Sequence, residues 1–112
     1  MNSPKETAED HTLRVETVRR EDVAWVVLQG EADLATLQEL EAALTRVQLD
    51  DTKAVHLHLA RLTFADVASL RQLTMFARSA KQAGRDIRTC GANPTLRKVA
   101  RLLEVHEDLG LV

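Results

Sequence analysis

The sequence predicts one α/β domain: a mixed sheet of about four strands with helices mainly on one of its faces. Three observations favour this class. A chain of 112 residues can bury one hydrophobic core and is too short for two. Hydrophobic residues make up 45% of the chain and charged residues 29%, which is an ordinary globular balance. Apolar residues recur with a strand period in some segments and a helical period in others, in the order β-β-α-β-α-β-α.

The first half of the chain predicts a β-hairpin followed by a helix. Residues 1–11 are polar and aperiodic, so we expect a flexible N-terminal tail and a domain that spans residues 12–112. Residues 13–18 and 23–28 form two strands joined by a polar turn, and residues 30–33 end the second strand. Asp33 is placed to cap a helix. Its apolar stripe consists of Leu37, Leu40, Leu44 and Val47.

The second half predicts alternating strands and helices. Residues 55–59 alternate strictly, with His56 and His58 on the face opposite the apolar side chains. Asp66 is expected to cap a second helix over residues 67–83, which Gly84 ends. Its inward side chains are expected to be Val67, Leu70, Leu73, Ala77 and Ala80. A short strand with Ile87 and Cys90 follows, and residues 93–94, an Asn-Pro pair, begin a third helix that ends near residue 105.

Helix crossovers require parallel strands, whereas the first two strands can pair as a hairpin. The connections are short enough to make consecutive elements neighbours. We therefore expect a mixed sheet with one face covered by helices and the other face partly open.

Composition and charge exclude several classes of function. Net charge is -2, divided into -6 for residues 1–56 (6 bases, 12 acids) and +4 for residues 57–112 (9 bases, 5 acids), so no basic stripe for nucleic acid is evident. No apolar run reaches the roughly 20 residues that cross a bilayer, and no secretory signal is evident, so we expect a cytoplasmic protein that does not insert into membranes. The single cysteine, Cys90, excludes an internal disulfide.

Two blocks of sequence resemble the STAS domain, the module of bacterial anti-sigma factor antagonists. Residues 28–34, Leu-Gln-Gly-Glu-Ala-Asp-Leu, are similar to the family's Gly-Glu-Leu-Asp strand end. Residues 58–70, His-Leu-Ala-Arg-Leu-Thr-Phe-Ala-Asp-Val-Ala-Ser-Leu, are similar to its segment ending Phe-Ile-Asp-Ser-Ser-Gly-Leu. The resemblance runs from about Leu13 to Leu111, and it includes the Asn-Pro start of the third helix.

The resemblance implies a non-enzymatic regulator without a cofactor. Such an antagonist binds a kinase-like anti-sigma factor and so frees a sigma factor, and phosphorylation of a serine at the start of the second helix ends the binding. The family's serine pair falls on Val67 and Ala68, its glycine on Ser69, and the first aspartate of its second block on His58. Because Ala68 has no hydroxyl to phosphorylate, we expect binding that is not switched at that position. The expected partner-binding residues are Asp33, Thr63, Asp66, Ala68, Ser69 and Arg71.

Other candidate sites have weaker support from the sequence. Ser69 is an alternative phosphorylation site, but one step along a helix turns a side chain by about 100 degrees. His56 and His58 supply half of a zinc site, which would need Cys90, His11 or His106 to converge on them, and the sequence gives no reason for this. We therefore predict no metal.

No Ser/His/Asp order or glycine-rich phosphate loop suggests catalysis. Arg71, Arg78 and Lys81 share one helix face that could meet an acidic partner.

Three alternatives remain open at the level of sequence. The chain could be a structural STAS subunit, either of a stress-signalling assembly or of a lipid-transport ATPase complex. It could also be a metal-binding or small-ligand module that uses the histidine face. A homodimer is compatible with each of these functions.

Overall fold

Four strands and three α-helices follow one another in the predicted order. The computed structural model describes residues 13–111, so the tail predicted over residues 1–11 lies outside the described residues. The strands are β1 (Leu13–Arg20), β2 (Val23–Ala32), β3 (Ala54–Ala65) and β4 (Asp86–Cys90). The helices are α1 (Leu37–Leu49), α2 (Val67–Gln82) and α3 (Pro94–Leu102), and a short 3-10 turn (Leu34–Thr36) precedes α1.

The sheet is mixed and has the strand order β1-β2-β3-β4. A tight turn at Glu21, whose φ is 55, lets β1 fold back antiparallel to β2. The helical crossovers α1 and α2 return the chain so that β2, β3 and β4 run parallel. The predicted fold class is therefore confirmed.

Several element ends differ from the sequence-based prediction, and the differences are largest at the ends of β2, β3 and α3. Strand β2 continues through Gly30, because that glycine takes a φ of 105 and the β2–β3 register shifts on either side of it. Strand β3 extends to Ala65 instead of ending at residue 59. Helix α3 ends at Leu102, because Glu104 takes a left-handed φ of 59 and turns the chain. Both strand extensions lengthen the sheet at the edge where β2 and β3 end.

The hydrophobic core lies on one face of the sheet. Alternate residues of β2 and β3 point into it, including the fully buried Val26, Leu28 and Leu57. Leu40 of α1 and Leu73 of α2 are also fully buried in this core. The residues that alternate with these in β2 and β3 point to the opposite face of the sheet. Among them, Trp25, His56 and His58 are half-buried.

A buried guanidinium joins three elements at the amino edge of the parallel strands. Arg85, which is 9% exposed, donates from Nε to the Thr52 carbonyl oxygen at 2.7 Å and from Nη1 to the Val47 carbonyl oxygen at 3.1 Å. Its Nη2 donates to Asp50 Oδ1 at 2.8 Å and also contacts Thr52 Oγ1. The network joins the end of α1 to the starts of β3 and β4, and it leaves this buried charge fully paired.

Removing this guanidinium should destabilise the domain strongly. We expect Arg85→Met to lower the free energy of unfolding by about 3 kcal/mol, because the Asp50 carboxylate and two carbonyl oxygens lose their buried donor. The matched control is Arg19→Met, which breaks the solvated pair with Asp51, whose side chains are 49% and 86% exposed. The control should cost less than about 1 kcal/mol in urea unfolding. Equal losses would contradict a structural role for the buried network.

The same network makes stability depend on pH. Partial burial alone would raise the pKa of Asp50, but hydrogen bonds from Thr52 and the charges of Arg85 and Arg19 hold it below its ordinary value of 3.8. The unfolded chain therefore binds this proton more tightly than the folded chain. The stabilisation is complete above the unfolded pKa and is lost as pH falls through the folded pKa. Between about pH 5 and 2, unfolding free energies should fall less steeply for Asp50→Asn than for wild type, and parallel slopes would refute this assignment.

Candidate functional site

The ends of β2 and β3 bring the two predicted acids to one edge of the sheet. Ala32 and Ala65, the last residues of these parallel strands, are paired in register. The Asp66 backbone N–H donates to the Ala32 carbonyl oxygen at 3.0 Å, so the strand ends are also joined beyond the sheet. Asp33 and Asp66 each follow directly after one of these strands, and they therefore lie at neighbouring positions.

Both acids cap the helical segments that leave this edge. Asp33 Oδ1 accepts from the backbone N–H groups of Ala35 at 3.0 Å and Thr36 at 3.2 Å, while Thr36 Oγ1 accepts from the Asp33 N–H at 3.0 Å. Asp33 thus caps the 3-10 turn before α1, and not α1 itself. Asp66 Oδ1 accepts from the Ser69 N–H at 2.8 Å, which makes it the cap of α2 as expected. The caps fix the conformation of both loops.

Ala68 and Ser69 occupy different environments although they are adjacent. Ala68 is half-buried in the first turn of α2. Ser69 is 0% exposed, and its Oγ has no hydrogen-bond partner. The Ser69 hydroxyl is therefore not presented to a partner or a kinase in this conformation, whereas position 68 borders the surface.

The other predicted partner-binding residues, Thr63 and Arg71, are both exposed. Thr63 is close to the end of β3, and its Oγ1 donates across the sheet to the Gly30 carbonyl oxygen at 3.0 Å. Arg71 lies in α2 one turn beyond Val67. The structure thus places five of the six predicted residues at least partly on the surface, and it places Ser69 in the core.

Sequence reasoning missed three exposed apolar side chains at this edge. Leu34 is 74% exposed, Phe64 49% and Val67 44%, and each lies within two residues of one of the capping acids in sequence. Val67 was expected to point inward, but α2 begins at this residue, and its buried apolar stripe starts at Leu70. Leu34 does not belong to the apolar stripe of α1 in the sequence. This mismatch could have identified Leu34 as an exposed apolar residue.

We call this region the apical surface. It consists of Asp33, Leu34, Thr63, Phe64, Asp66, Val67, Ala68 and Arg71. Large apolar side chains that stay exposed beside polar groups are typical of protein-binding surfaces. The hydrogen bonds of the two caps hold the loops in place, so the surface is formed before any partner binds.

The two basic residues predicted further along α2 are already engaged. Arg78 Nη2 lies 2.9 Å from Asp108 Oδ2, and Lys81 Nζ donates to the Glu107 carbonyl oxygen at 3.1 Å. These contacts tie α2 to the C-terminal segment. Arg78 and Lys81 therefore contact the C-terminal segment, and Arg71 is the residue of the predicted basic face that lies at the apical surface.

The histidine face does not assemble a metal site within residues 13–111. His58 Nδ1 lies 3.3 Å from Cys90 Sγ, but no group of three or more His, Cys, Asp or Glu side chains in this range could hold an ion. His11 lies outside the described residues. His106 is half-buried, and its Nδ1 has no hydrogen-bond partner. None of the helices in the described part of the chain is long and apolar enough to span a membrane.

The unpaired hydroxyl of Ser69 predicts a stabilising substitution. Ser69→Ala should raise the free energy of unfolding by about 1 kcal/mol, because it removes a buried polar group that makes no hydrogen bond. Thr74→Val is the control, since the Thr74 hydroxyl is buried in the same helix but donates to the Leu70 carbonyl oxygen at 2.8 Å. Urea unfolding should show no gain for the control. A loss of stability in Ser69→Ala would mean that the hydroxyl has a partner in solution.

Comparison with known proteins agrees with the fold. The chain is 26% identical over 93 residues to the anti-sigma-B factor antagonist of Staphylococcus epidermidis, covering 83% of each protein. The crystal structure of an anti-sigma factor antagonist from Mycobacterium paratuberculosis superposes with a TM-score of 0.76 at 20% identity, covering 85% of this chain and 80% of that one. The phosphorylated form of the Bacillus cell fate determinant SpoIIAA gives 0.63 at 23% identity, covering 85% and 86%.

A family model described as "Mlab, STAS domain" matches residues 15–112. This match covers both sequence blocks, all four strands except the first two residues of β1, and the whole apical surface. The chain belongs to the STAS domain family.

Proposed function

We propose that this protein is a non-enzymatic regulator of the anti-sigma factor antagonist type. It binds a kinase-like anti-sigma factor through the apical surface and thereby frees a sigma factor. The observation that carries the proposal is the group of exposed apolar side chains, Leu34, Phe64 and Val67, beside two capped acids where the family resemblance implies the partner surface. The relatives named as anti-sigma factor antagonists support the same role.

The proposed regulator lacks a phosphorylation switch at the family's position. The first turn of a helix offers unpaired N–H groups and the positive end of the helix dipole, so a phosphate there does not unfold the domain. Ala68 stands at this place with a methyl group. Ser69 is buried, and the Thr63 hydroxyl already donates to Gly30. We therefore expect the protein to stay in its binding-competent form.

Charge explains why a phosphate at position 68 would end binding. Phosphoserine carries a charge of about -1.5 to -2 at neutral pH. It would join Asp33 and Asp66 at the apical surface, close in sequence to the exposed apolar side chains of Phe64 and Val67. A partner that buries Phe64 and Val67 would have to desolvate this added charge, which is costly without a matching cation.

A second candidate keeps the fold and changes the role. The chain would then be a structural STAS subunit of a stress-signalling assembly or of a lipid-transport ATPase complex. Ala68 favours this candidate as well, because a permanent subunit has no use for a phosphoryl acceptor. The two candidates differ in the partner that the apical surface binds.

A gain-of-switch variant tests the proposed function. The purified chain is titrated by calorimetry against each kinase-like anti-sigma factor encoded in its genome, with and without Mg-ATP. Wild type should bind in both conditions and gain no phosphate in intact-mass analysis. Ala68→Ser should gain one phosphate in Mg-ATP and then bind at least about tenfold more weakly, which corresponds to about 1.4 kcal/mol of lost affinity.

Matched alanine variants locate the interface. Phe64→Ala should weaken binding about tenfold by removing an exposed apolar anchor. Leu49→Ala removes a side chain that is 81% exposed at the end of α1, away from the apical surface, and it should bind as wild type does. Phosphorylation of the wild-type protein at any residue between Thr63 and Thr74 would contradict the proposal that it stays in its binding-competent form. If the protein binds none of the kinase-like factors and an ATPase co-purifies with it instead, the second candidate, a structural subunit, is favoured.

A further inference from the structure

The sheet face opposite the helices carries a second group of chemically active side chains. We call it the open-face cluster, and it consists of Trp25, His56, His58, Arg88 and Cys90. The register makes them neighbours, since Trp25 pairs with His56, His56 with Arg88, and His58 with Cys90. These residues lie in the middle of the strands and on β4, separate from the apical surface.

Aromatic rings in the cluster stack on one another. The Trp25 and His58 rings have centroids 5.1 Å apart and an interplanar angle of 30 degrees, which is a stacked pair. His56 meets Trp25 edge-on at 4.5 Å. All three side chains are half-buried, so part of this aromatic surface remains accessible. Stacked rings with a free face favour a further planar ring.

A cavity of about 630 Å³ borders the cluster. Ile87, Thr89 and Gly110 complete its lining beside the five cluster residues. Its volume falls within the roughly 300–1,000 Å³ typical of small-molecule sites, which combine apolar walls with a few polar groups. The cavity is therefore large enough for a bicyclic aromatic compound.

The cluster includes one arginine, Arg88, and its side chain is exposed. Partial burial, together with the charges of Arg88 and His58, lowers the pKa of His56 below its ordinary value of 6.5. This shift favours the neutral form of the His56 imidazole. A fixed cation at the margin of an aromatic floor favours an anionic group on the ligand.

We propose that the open-face cluster binds a small planar aromatic anion. Its ring stacks on Trp25 and His58, and its negative group pairs with the Arg88 guanidinium. This site is independent of the apical surface and of the proposed function, so either proposal can fail without the other.

Two unique residues report directly on this site. Trp25 is the one tryptophan and Cys90 the one cysteine in the sequence. The Trp25 indole N–H therefore gives a single signal in proton–nitrogen correlation spectra, and alkylation by iodoacetamide follows a single thiol. A ligand in the cavity should shift the first signal and slow the second reaction.

Naphthoate is the probe, with naphthamide as the neutral isostere and cyclohexanecarboxylate as the non-aromatic anion. We expect naphthoate to shift the Trp25 signal in a saturable way, to slow Cys90 alkylation, and to bind at least about tenfold more tightly than either control compound. Arg88→Gln should weaken naphthoate binding about tenfold and leave naphthamide binding unchanged. Arg14→Gln, which removes an exposed arginine of the edge strand β1, should leave both unchanged.

Three results would overturn the proposal. Equal binding of naphthoate and naphthamide would show that the negative charge of the ligand is not recognised, and a Trp25 signal without a saturable shift would show that naphthoate has no site there. A Trp25 shift and a slower alkylation that depend on protein concentration alone, with a doubled mass in sedimentation, would assign the face to a second copy of the chain. Because Arg88 is exposed, Arg88→Gln should leave the domain folded, and weaker naphthoate binding by this variant can be assigned to the lost charge.

Discussion

The parallel pairing of β2 with β3 is the constraint on which the rest of the structure depends. Because these central strands run the same way, the loops that follow Ala32 and Ala65 leave at one edge of the sheet. The hydrogen bond from the Asp66 N–H to the Ala32 carbonyl oxygen then joins the two loops directly. An antiparallel pairing would send one capping acid to the opposite end of the domain. Two loops distant in sequence thus form one surface because a helical crossover separates their strands.

The sequence predicted the order and type of the elements because hydrophobic periodicity is a local signal. It did not predict the element ends, which depend on backbone geometry and tertiary contacts. Gly30 suggested a strand end, yet in the sheet its positive φ accommodates a register shift and the strand continues. Alternation placed His56 and His58 on one face, but the proximity of Cys90 to His58 depends on the pairing of β3 with β4. That pairing has no signature within either segment.

The candidate site shows the same division between local and tertiary information. The resemblance supplied the candidate positions, since it aligned Ala68 with the family's phosphoserine and the acids with their counterparts. It could not indicate exposure. Ser69 is fully buried while Val67 is 44% exposed, because the direction in which each turn of α2 faces is set by packing against the sheet. The apolar character of the surface emerged only when Leu34 and Phe64 were found on the outside.

The two edges of the sheet carry the buried guanidinium network and the proposed binding surface, respectively. At the amino edge, Arg85 pairs with the half-buried carboxylate of Asp50 and with the Val47 carbonyl oxygen near the end of α1. At the carboxyl edge, Asp33 and Asp66 satisfy the first N–H groups of the helical segments by themselves, so the exposed apolar side chains need no partner to hold their positions. A surface already ordered in this way saves a partner the entropic cost of arranging it. In the proposed function, binding there depends on apolar burial and local charge, and the methyl group of Ala68 offers no site at which phosphorylation would change either.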